Sequence, residues 1–287
     1  MPDIWFPHLG IELFNVPRVA FTVFGVGIYW YALLIILGIG AGYFSAIAEV
    51  KRTGQRVEDY TDLLYFGIPS ALVGLRLFYV VFNWDLYRDN PIRIITGLRD
   101  GGLAIFGGII ASIIVVYVLS RVRKLDVWSM LDVGAPAFAI GQVIGRWGNF
   151  LNREAFGGAT DNLFAMRIIR EQTTAPLTQE ILDNIIIYAS ADNLGAVEYI
   201  QVHPTFLYES LWNLGLFILL TFYRPRKKFN GEIFWLYLLG YGFGRFFIEG
   251  LRTDQLIMAG LPVSQVMAAL IFVVGLVAFV YNLLEPV

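Results

Sequence analysis

Residues 145–157 read Gly145-Arg146-Trp147-Gly148-Asn149-Phe150-Leu151-Asn152-Arg153-Glu154-Ala155-Phe156-Gly157. The stretch ends an apolar segment that begins near residue 133, and it places an arginine, two asparagines and a glutamate at the edge of that segment. Polar groups are costly at the edge of a hydrocarbon layer unless they face partners, water or a ligand. Glycines without a Cβ allow backbone to approach a ligand or another helix. The stretch therefore predicts a polar site at the end of a membrane-spanning helix.

Helical spacing brings the polar side chains of this stretch together. If residues 145–152 are helical, Gly145, Asn149 and Asn152 share one face, and Arg146 lies three residues before Asn149. A guanidinium donates in a rigid planar fork and stays protonated, so with amide neighbours it suits a phosphate or a carboxylate. In the alternative, Arg146 snorkels to the interface and the asparagines cap a helix end. The density of polar groups between glycines favours the anion site.

Composition defines the class of protein. The 287 residues are 57% hydrophobic and 15% charged, whereas soluble domains carry about 25% charged residues. With a mean hydropathy of +0.64, the chain is predicted to be a polytopic membrane protein. Its net charge of −2 argues against a nucleic-acid partner. Without cysteine and with only His8 and His203 as histidines, we expect no metal centre and no cofactor.

The apolar segments predict the membrane topology. A span needs roughly 20 apolar residues, and this criterion selects seven segments, at about 27–48, 61–82, 102–120, 131–151, 206–223, 232–250 and 263–283. The short loops after the first, third and fifth segments contain all the lysines of the chain, so they are predicted to be cytoplasmic. We therefore expect an all-α polytopic fold with the N-terminus outside and the C-terminus cytoplasmic.

Outside the spans, two hydrophilic regions stand out. Residues 1–25 mix apolar residues with prolines and charges and are interpreted as an interfacial lead-in. Residues 158–202 form an insertion between spans four and five, predicted to be a small extracytoplasmic cap with a short helix in 173–183 and an apolar cluster at 185–189. The whole chain, 1–287, is otherwise expected to be a single integral membrane domain.

Three arginines fall inside apolar segments, namely Arg76, Arg146 and Arg245. Each costs at least about 2.5–3.5 kcal/mol on insertion scales, so they are predicted to line one polar cavity with acidic partners or an anionic ligand. Glu249 lies four residues after Arg245 on the same helical face, so a purely structural ion pair is the alternative there.

Further candidates lie at the predicted outer ends of the spans. The glycines of the 100–108 run could offer backbone N–H groups to a phosphate, or could simply allow close helix packing. His203 precedes a proline and is interpreted first as a helix cap or anchor, and Tyr31 as an aromatic-belt residue or a donor to a lipid head group. The candidates of this group are Tyr31, Gly101, Gly102, Gly107, Gly108, His203, Tyr208, Glu209 and Arg252.

The stretch 145–157 closely resembles the signature of the prolipoprotein diacylglyceryl transferases of bacteria. Nearly the whole chain resembles that family, in order, through Trp30-Tyr31, Gly74-Leu75-Arg76, the 100–108 run, His203-Pro204 to Tyr208-Glu209, and Gly244-Arg245 to Glu249 and Arg252. The resemblance implies a multi-pass protein of the bacterial cytoplasmic membrane with its site towards the outer leaflet. It implies transfer of the diacylglyceryl group of phosphatidylglycerol to the lipobox cysteine thiol of a preprolipoprotein, with release of glycerol-1-phosphate.

The resemblance also implies residue roles. Arg146 and Arg245 correspond to essential arginines of the family and are expected to hold the phosphate. Asn149, Asn152, Glu154 and Gly157 are expected to shape the head-group pocket, with Tyr31 and Glu249 as further lining.

One position departs from the family, because members often carry a histidine where this chain has Phe106. The group that activates the thiol therefore stays open among Glu154, Glu249, His203, Tyr31 and Tyr241, or the arginines alone lower the thiol pKa. A carrier or flippase for an anionic lipid or small anion is the competing class, since intramembrane arginines also suit transporters.

Overall fold

The computed structural model describes residues 1–97, 101–189, 195–258 and 260–284. Over these residues the chain is mostly helical. The helices are α1 (Trp30–Arg52), α2 (Val57–Phe82), α3 (Arg93–Thr96), α4 (Ile105–Arg123), α5 (Val127–Asn152), α6 (Gln179–Asp183), α7 (Thr205–Tyr223), α8 (Glu232–Leu251) and α9 (Val263–Leu284). The strands are β1 (Ile4–Phe6), β2 (Ile11–Leu13), β3 (Val19–Val23), β4 (Val26–Tyr29), β5 (Met166–Ile169), β6 (Ile186–Ala189), β7 (Ala196–Val202), β8 (Ile257–Met258) and β9 (Leu261–Pro262).

Every predicted span coincides with one long helix. Within the described residues, six helices are long and apolar enough to cross a membrane, namely α1, α2, α4, α5, α7 and α9. The chain is thus a polytopic membrane protein. Helix α8 has 20 residues, a sufficient length, but Arg245, Glu249 and four glycines lower its hydropathy. Six of the seven predicted spans therefore correspond to helices whose length and composition suit a membrane. The seventh span, α8, stays a prediction.

The described chain divides into two compact units, Met1–Ser45 with Gly134–Val287, and Ala46–Val133. In the second unit, α2 and α4 approach through glycines, because a Cβ on Gly107 would lie 2.0 Å from the carbonyl oxygen of Gly74. In the first unit, α1 packs on α5 in the same way, since a Cβ on Gly42 would lie 2.8 Å from the carbonyl oxygen of Ala137. Small residues thus set both helix contacts, as is usual in membranes.

The expectation of an all-α fold is wrong, because the structure also contains β-sheets. A five-stranded antiparallel sheet in the order β2-β1-β5-β7-β6 joins the N-terminal strands to the 158–202 insertion. Ile4 and Phe6 alternate inwards from β1 and pack with Ile168 and Ile200 in one buried cluster. A three-residue strand is too short for a recognisable alternation, so the interpretation of residues 1–25 as an interfacial lead-in did not include these strands.

The insertion contains the elements that its sequence suggested. Helix α6 lies within the predicted 173–183 region and begins at Thr178, whose hydroxyl accepts from the N–H of Ile181 at 3.4 Å. The apolar cluster at 185–189 forms β6. Arg153, at the end of α5, ties this layer to the N-terminal segment by donating to the carbonyl oxygen of Val16 at 2.6 Å and lying 3.6 Å from Asp3.

Candidate active site

The end of α5 carries a chain of polar contacts. The guanidinium of Arg146 donates to Asn149 Oδ1 at 3.2 Å. The amides of Asn149 and Asn152 both donate to Glu154 Oε1, at 3.0 and 3.1 Å. The predicted face of residues 145–152 is therefore real. It leads from Arg146 through an amide to Glu154, just beyond the helix.

Glu209 on α7 joins the two arginines that the sequence singled out. Its Oε1 lies 2.7 Å from Arg146 Nη2, and its Oε2 accepts from Arg245 Nη1 at 2.7 Å. The Glu209 side chain is only 4% exposed, so this anion lies in a medium that screens it poorly. Helices α5, α7 and α8 thus meet at one carboxylate.

Helix α8 extends the charged cluster away from Glu209. Arg245 also contacts Glu249 Oε2, and Arg252 Nη1 lies 3.6 Å from the same oxygen. Arg252 donates from Nε and Nη2 to Asp254 at 2.9 and 2.7 Å. The pair of Arg245 with Glu249 therefore exists, but it forms part of a network rather than an isolated structural contact.

Charges in this network nearly balance. Burial alone would raise the pKa of the Asp254 carboxyl, but the hydrogen bonds and charge of Arg252 outweigh burial and hold that pKa below its ordinary value. With Asp254 ionised, three arginines face Glu209, Glu249 and Asp254, while Glu154 adds a fourth acid through Asn149. Among the described residues, no guanidinium forms an ion pair with Glu154.

Gly157 brings three elements together beside this cluster. Its N–H donates to the carbonyl oxygen of His203 at 2.9 Å, and the next N–H, of Gly158, donates to Leu251 at 2.9 Å. A Cβ at position 157 would lie 2.8 Å from both the Leu251 carbonyl oxygen and the His203 Cβ. Glycine is required there because the loop after α5 passes between the end of α8 and the start of α7.

Tyr31 lies in the first turn of α1 and packs on α5. A Cβ on Gly148 would be 2.3 Å from Tyr31 Cδ2, so the tyrosine ring covers this glycine. Tyr31 thereby lies against the residue that precedes Asn149, and its role as a lining residue stays a prediction.

His203 and Tyr208 form a second small cluster. The Tyr208 hydroxyl lies 3.3 Å from His203 Nδ1, and the Asn162 amide donates to that hydroxyl at 3.0 Å and lies 3.3 Å from Nδ1. Burial lowers the pKa of the His203 imidazole below its ordinary value. The ring therefore belongs to a neutral cluster rather than to the arginine–carboxylate network.

Arg76 and the glycine pairs lie in the second compact unit. Arg76 is 5% exposed and donates to carbonyl oxygens of Ile94, Gly101, Gly102 and Arg93 at 2.8–3.0 Å. Gly107 and Gly108 face α2, where a Cβ on Gly108 would lie 3.0 Å from Leu75. Asp100, at the start of the 100–108 run, lies outside the described residues.

Phe106, at the position that departs from the family, begins the first turn of α4. Its ring packs near that of Phe78 at a centroid distance of 6.2 Å. The side chain is half-exposed and apolar, so the contacts of this position are with other apolar groups.

Two features of the site were not anticipated. Glu209 was named only as pocket lining, because spacing within one helix cannot reveal that α7 faces both α5 and α8. Asn162 was not named at all, since a lone asparagine in a hydrophilic loop carries no periodic signal. Ser210 supports the same helix contact by donating to the Val143 carbonyl oxygen of α5 at 3.0 Å.

Fold and site together define a class: a multi-pass membrane protein with a buried arginine–carboxylate network at the ends of three helices. The family model of prolipoprotein diacylglyceryl transferases matches residues 18–281. The chain belongs to this family.

Individual relatives agree with the family match. The chain is 42% identical over 261 residues to a phosphatidylglycerol–prolipoprotein diacylglyceryl transferase of Finegoldia magna, covering 91% of this chain and 93% of the relative. Proteins of the same name from Enterococcus faecalis and Clostridioides difficile are 40% identical over 277 residues and 38% identical over 264 residues. These alignments cover 96% and 92% of this chain, and 93% and 94% of the relatives.

Proposed function

We propose that this protein transfers the sn-1,2-diacylglyceryl group of phosphatidylglycerol to the lipobox cysteine thiol of a preprolipoprotein. The relatives named for this reaction align over nine-tenths of the chain. The reaction needs a site for an anionic lipid and takes its nucleophile from the peptide, so a cysteine-free enzyme is compatible with it.

The observation that carries the proposal is the shared carboxylate of Glu209. It holds Arg146 and Arg245 at 2.7 Å each, on two different helices, and so keeps two guanidiniums aimed at one region. A phosphodiester carries one negative charge and accepts hydrogen bonds in the same way as a carboxylate. Phosphatidylglycerol is expected to bind against the free sides of these two arginines, with Glu209 compensating their charge before the lipid arrives.

The arginines then act on the leaving group. The cysteine sulfur attacks the glyceryl carbon bound to the phosphate oxygen, an S–C bond forms, and the C–O bond breaks. The electron pair of the broken bond goes to the phosphate oxygen, so glycerol-1-phosphate gains negative charge as it leaves. Preorganised cations stabilise such developing charge more than the ground state, which lowers the barrier.

The thiol proton needs an acceptor, and Glu154 is the best placed carboxylate. Glu209 and Glu249 are each held by two arginines, whereas in the described part of the chain the Glu154 carboxylate accepts from Asn149 and Asn152 alone, at Oε1. Those amides also connect it to Arg146. Tyr31, Tyr241 and His203 are the remaining candidates, and Phe106 cannot accept a proton.

Other residues are proposed to shape the lipid site. Tyr31 covers Gly148 near the end of α5. The loop that follows α5 contains Gly157 and is bordered by His203, Tyr208 and Arg252. Arg76 has its N–H groups engaged by carbonyls, so its proposed contribution, with that of the glycines at 101, 102, 107 and 108, is to hold a glycine segment in place.

The proposed topology has seven crossings, including α8, with the N-terminus outside and the C-terminus in the cytoplasm of a bacterial cell. The lysines lie in the last turn of α1 and in the loops after α4 and α7, so these three helix ends are proposed to be cytoplasmic. This orientation puts the end of α5, the sheet and the 158–202 insertion at the outer leaflet, where a secreted peptide presents its lipobox.

A mass assay tests the reaction. Purified protein in detergent is mixed with phosphatidylglycerol and a lipobox peptide with a free cysteine, and the peptide should gain one diacylglyceryl mass. Arg146→Ala and Arg245→Ala should abolish the gain, whereas Arg170→Ala, which changes an exposed arginine of the sheet layer, should not. Lipid binding without any mass gain would overturn the proposal in favour of a carrier.

The role of Glu154 has its own test. Glu154→Gln keeps an oxygen that accepts from both asparagines but removes the base. Transfer should fall at pH 7 and recover towards the native rate as pH rises through about 8.5, where a thiol ionises by itself. A constant deficit at all pH values would exclude Glu154 as the proton acceptor.

A further inference from the structure

The β3–β4 hairpin has an unusual tip. Its strands pair from Val19–Tyr29 to Val23–Val26, and they are joined by Phe24 and Gly25, both with positive φ, at 48° and 79°. The relative exposure of Phe24 is 102%, so this ring is as open as it would be in an extended peptide. A bulky aromatic side chain is therefore displayed at the most prominent point of the hairpin.

Turn chemistry does not explain a phenylalanine there. Two-residue turns with positive φ at both positions favour Asn-Gly or Asp-Gly, and a bulky residue in this conformation is strained. Here the second position is glycine but the first is Phe24. Within the described chain, the ring has no buried surface that would offset this strain.

The whole hairpin shares this apolar character. Residues 19–29 contain no charged side chain. Phe21, Val23, Val26 and Tyr29 are all 40–52% exposed. An antiparallel ribbon in water usually carries several polar side chains on its solvated face, whereas Thr22 is the one exposed polar side chain of this hairpin.

The β3–β4 hairpin is followed directly by helix α1. Strand β4 ends at Tyr29, and α1, one of the helices able to cross a membrane, begins at Trp30. Tyrosine and tryptophan side by side at the end of a spanning helix are typical of the membrane–water interface. The apolar hairpin therefore leads directly into a helix that is long and apolar enough to cross a membrane.

We propose that the β3–β4 hairpin is an interfacial anchor that inserts Phe24 and its apolar neighbours into the lipid bilayer. Its edges carry unpaired backbone groups, which cannot enter the hydrocarbon core. The tip therefore lies at the boundary of head groups and acyl chains, roughly 5–10 Å deep. The anchor fixes the start of α1, where Tyr31 covers Gly148 of α5. Because the hairpin is uncharged, its insertion should not depend on salt or on anionic lipid.

The absence of cysteine from the chain allows a direct test. Val26→Cys, with Phe24 retained, carries an environment-sensitive fluorophore, and the full-length protein is reconstituted in phosphatidylcholine–phosphatidylglycerol vesicles. The control is Glu171→Cys, an exposed position of the sheet layer. Lipids brominated on the acyl chain should quench the Val26 label, and aqueous iodide should quench it several-fold less than the Glu171 label. Equal iodide quenching at the two positions would overturn the anchor.

Substitutions at the tip separate insertion from folding. Phe24→Asn suits the positive φ and keeps the hairpin folded, but it should remove the lipid quenching of the Val26 label. Phe24→Leu keeps an apolar side chain and should retain most of that quenching. If the label is shielded from iodide only after lipobox peptide is added, the hairpin binds peptide rather than lipid, and the proposal is wrong.

Discussion

The arginines inside apolar helices are satisfied in opposite ways in the two compact units. Arg146 and Arg245 share the carboxylate of Glu209 at the meeting point of three helices. Arg76 instead donates to four backbone carbonyls, and among the described residues no carboxylate forms an ion pair with it. A side-chain carboxylate can share its arginines with an arriving anion, whereas carbonyls of the chain itself hold a loop in shape. This difference in partners is the basis for proposing a substrate site at Arg146 and Arg245 and a structural clamp at Arg76.

The largest effect is expected when only the guanidinium of Arg245 is changed and its charge is kept. Arg245→Lys keeps the charge but replaces a planar fork with a single ammonium, which cannot serve Glu209, Glu249 and a phosphate together. We expect the initial rate of peptide lipidation to fall about 10²–10³-fold, the loss typical of removing one preorganised donor. Arg226→Lys, at an exposed position, is the control. A near-native rate for Arg245→Lys would show that charge alone suffices.

Glu209→Gln tests whether the shared carboxylate stands in for substrate charge. The amide keeps the shape but leaves two guanidiniums uncompensated, and breaking a buried pair costs about 3–5 kcal/mol. We expect a lower unfolding temperature in detergent, and a larger rise than in the native protein when glycerol-1-phosphate is added, because the ligand restores the missing charge. Equal rises in both proteins would argue that the anion binds elsewhere.

Arg76→Lys tests whether the arginine held by backbone carbonyls has a structural role. The lysine cannot donate in all the directions that the guanidinium does, and each buried carbonyl left unsatisfied costs about 1–3 kcal/mol. We expect reduced thermal stability and faster proteolysis of the segment from 84 to 104. The KM for phosphatidylglycerol of the folded enzyme should change far less than it does with Arg245→Lys. A rise in KM without loss of stability would instead place Arg76 against the lipid.

The smallest expected effect is a pH dependence of the local stability around His203, which lies outside the arginine–carboxylate network. Burial lowers the pKa of His203 in the folded protein, so this histidine contributes full stability above its unfolded pKa of about 6.5 and loses it as pH falls towards the folded value. The protection factors of the amides in residues 157–162 and 203–208, that is, their exchange rates relative to the intrinsic rate at the same pH, should therefore fall between pH 7.5 and 5.5. His203→Gln should abolish this loss of protection, and an unchanged pH dependence in that variant would exclude His203 as its source.

Sequence reasoning was strongest where one helix contained the whole signal. Arg146, Asn149 and Asn152 lie at one helix end, so spacing of three and four residues predicted that Arg146 lies near Asn149 and that both asparagines share a face. The contacts of Glu154, which lies beyond the helix, were not predicted by this spacing. Hydrophobicity also located every long helix, because a bilayer demands a continuous apolar run of nearly fixed length. The identity of the family was carried by the same local stretch and was confirmed by the comparisons.

Only the tertiary structure decided the contacts between elements far apart in the chain. Glu209 became the bridge between two arginines because α7 packs between α5 and α8, and no periodicity within α7 encodes that arrangement. The N-terminal strands joined a sheet with residues 166–202 because a three-residue strand is stable only through its partners. Local spacing is written in the sequence through helix geometry, whereas pairing across more than 100 residues depends on which folded surfaces bury one another.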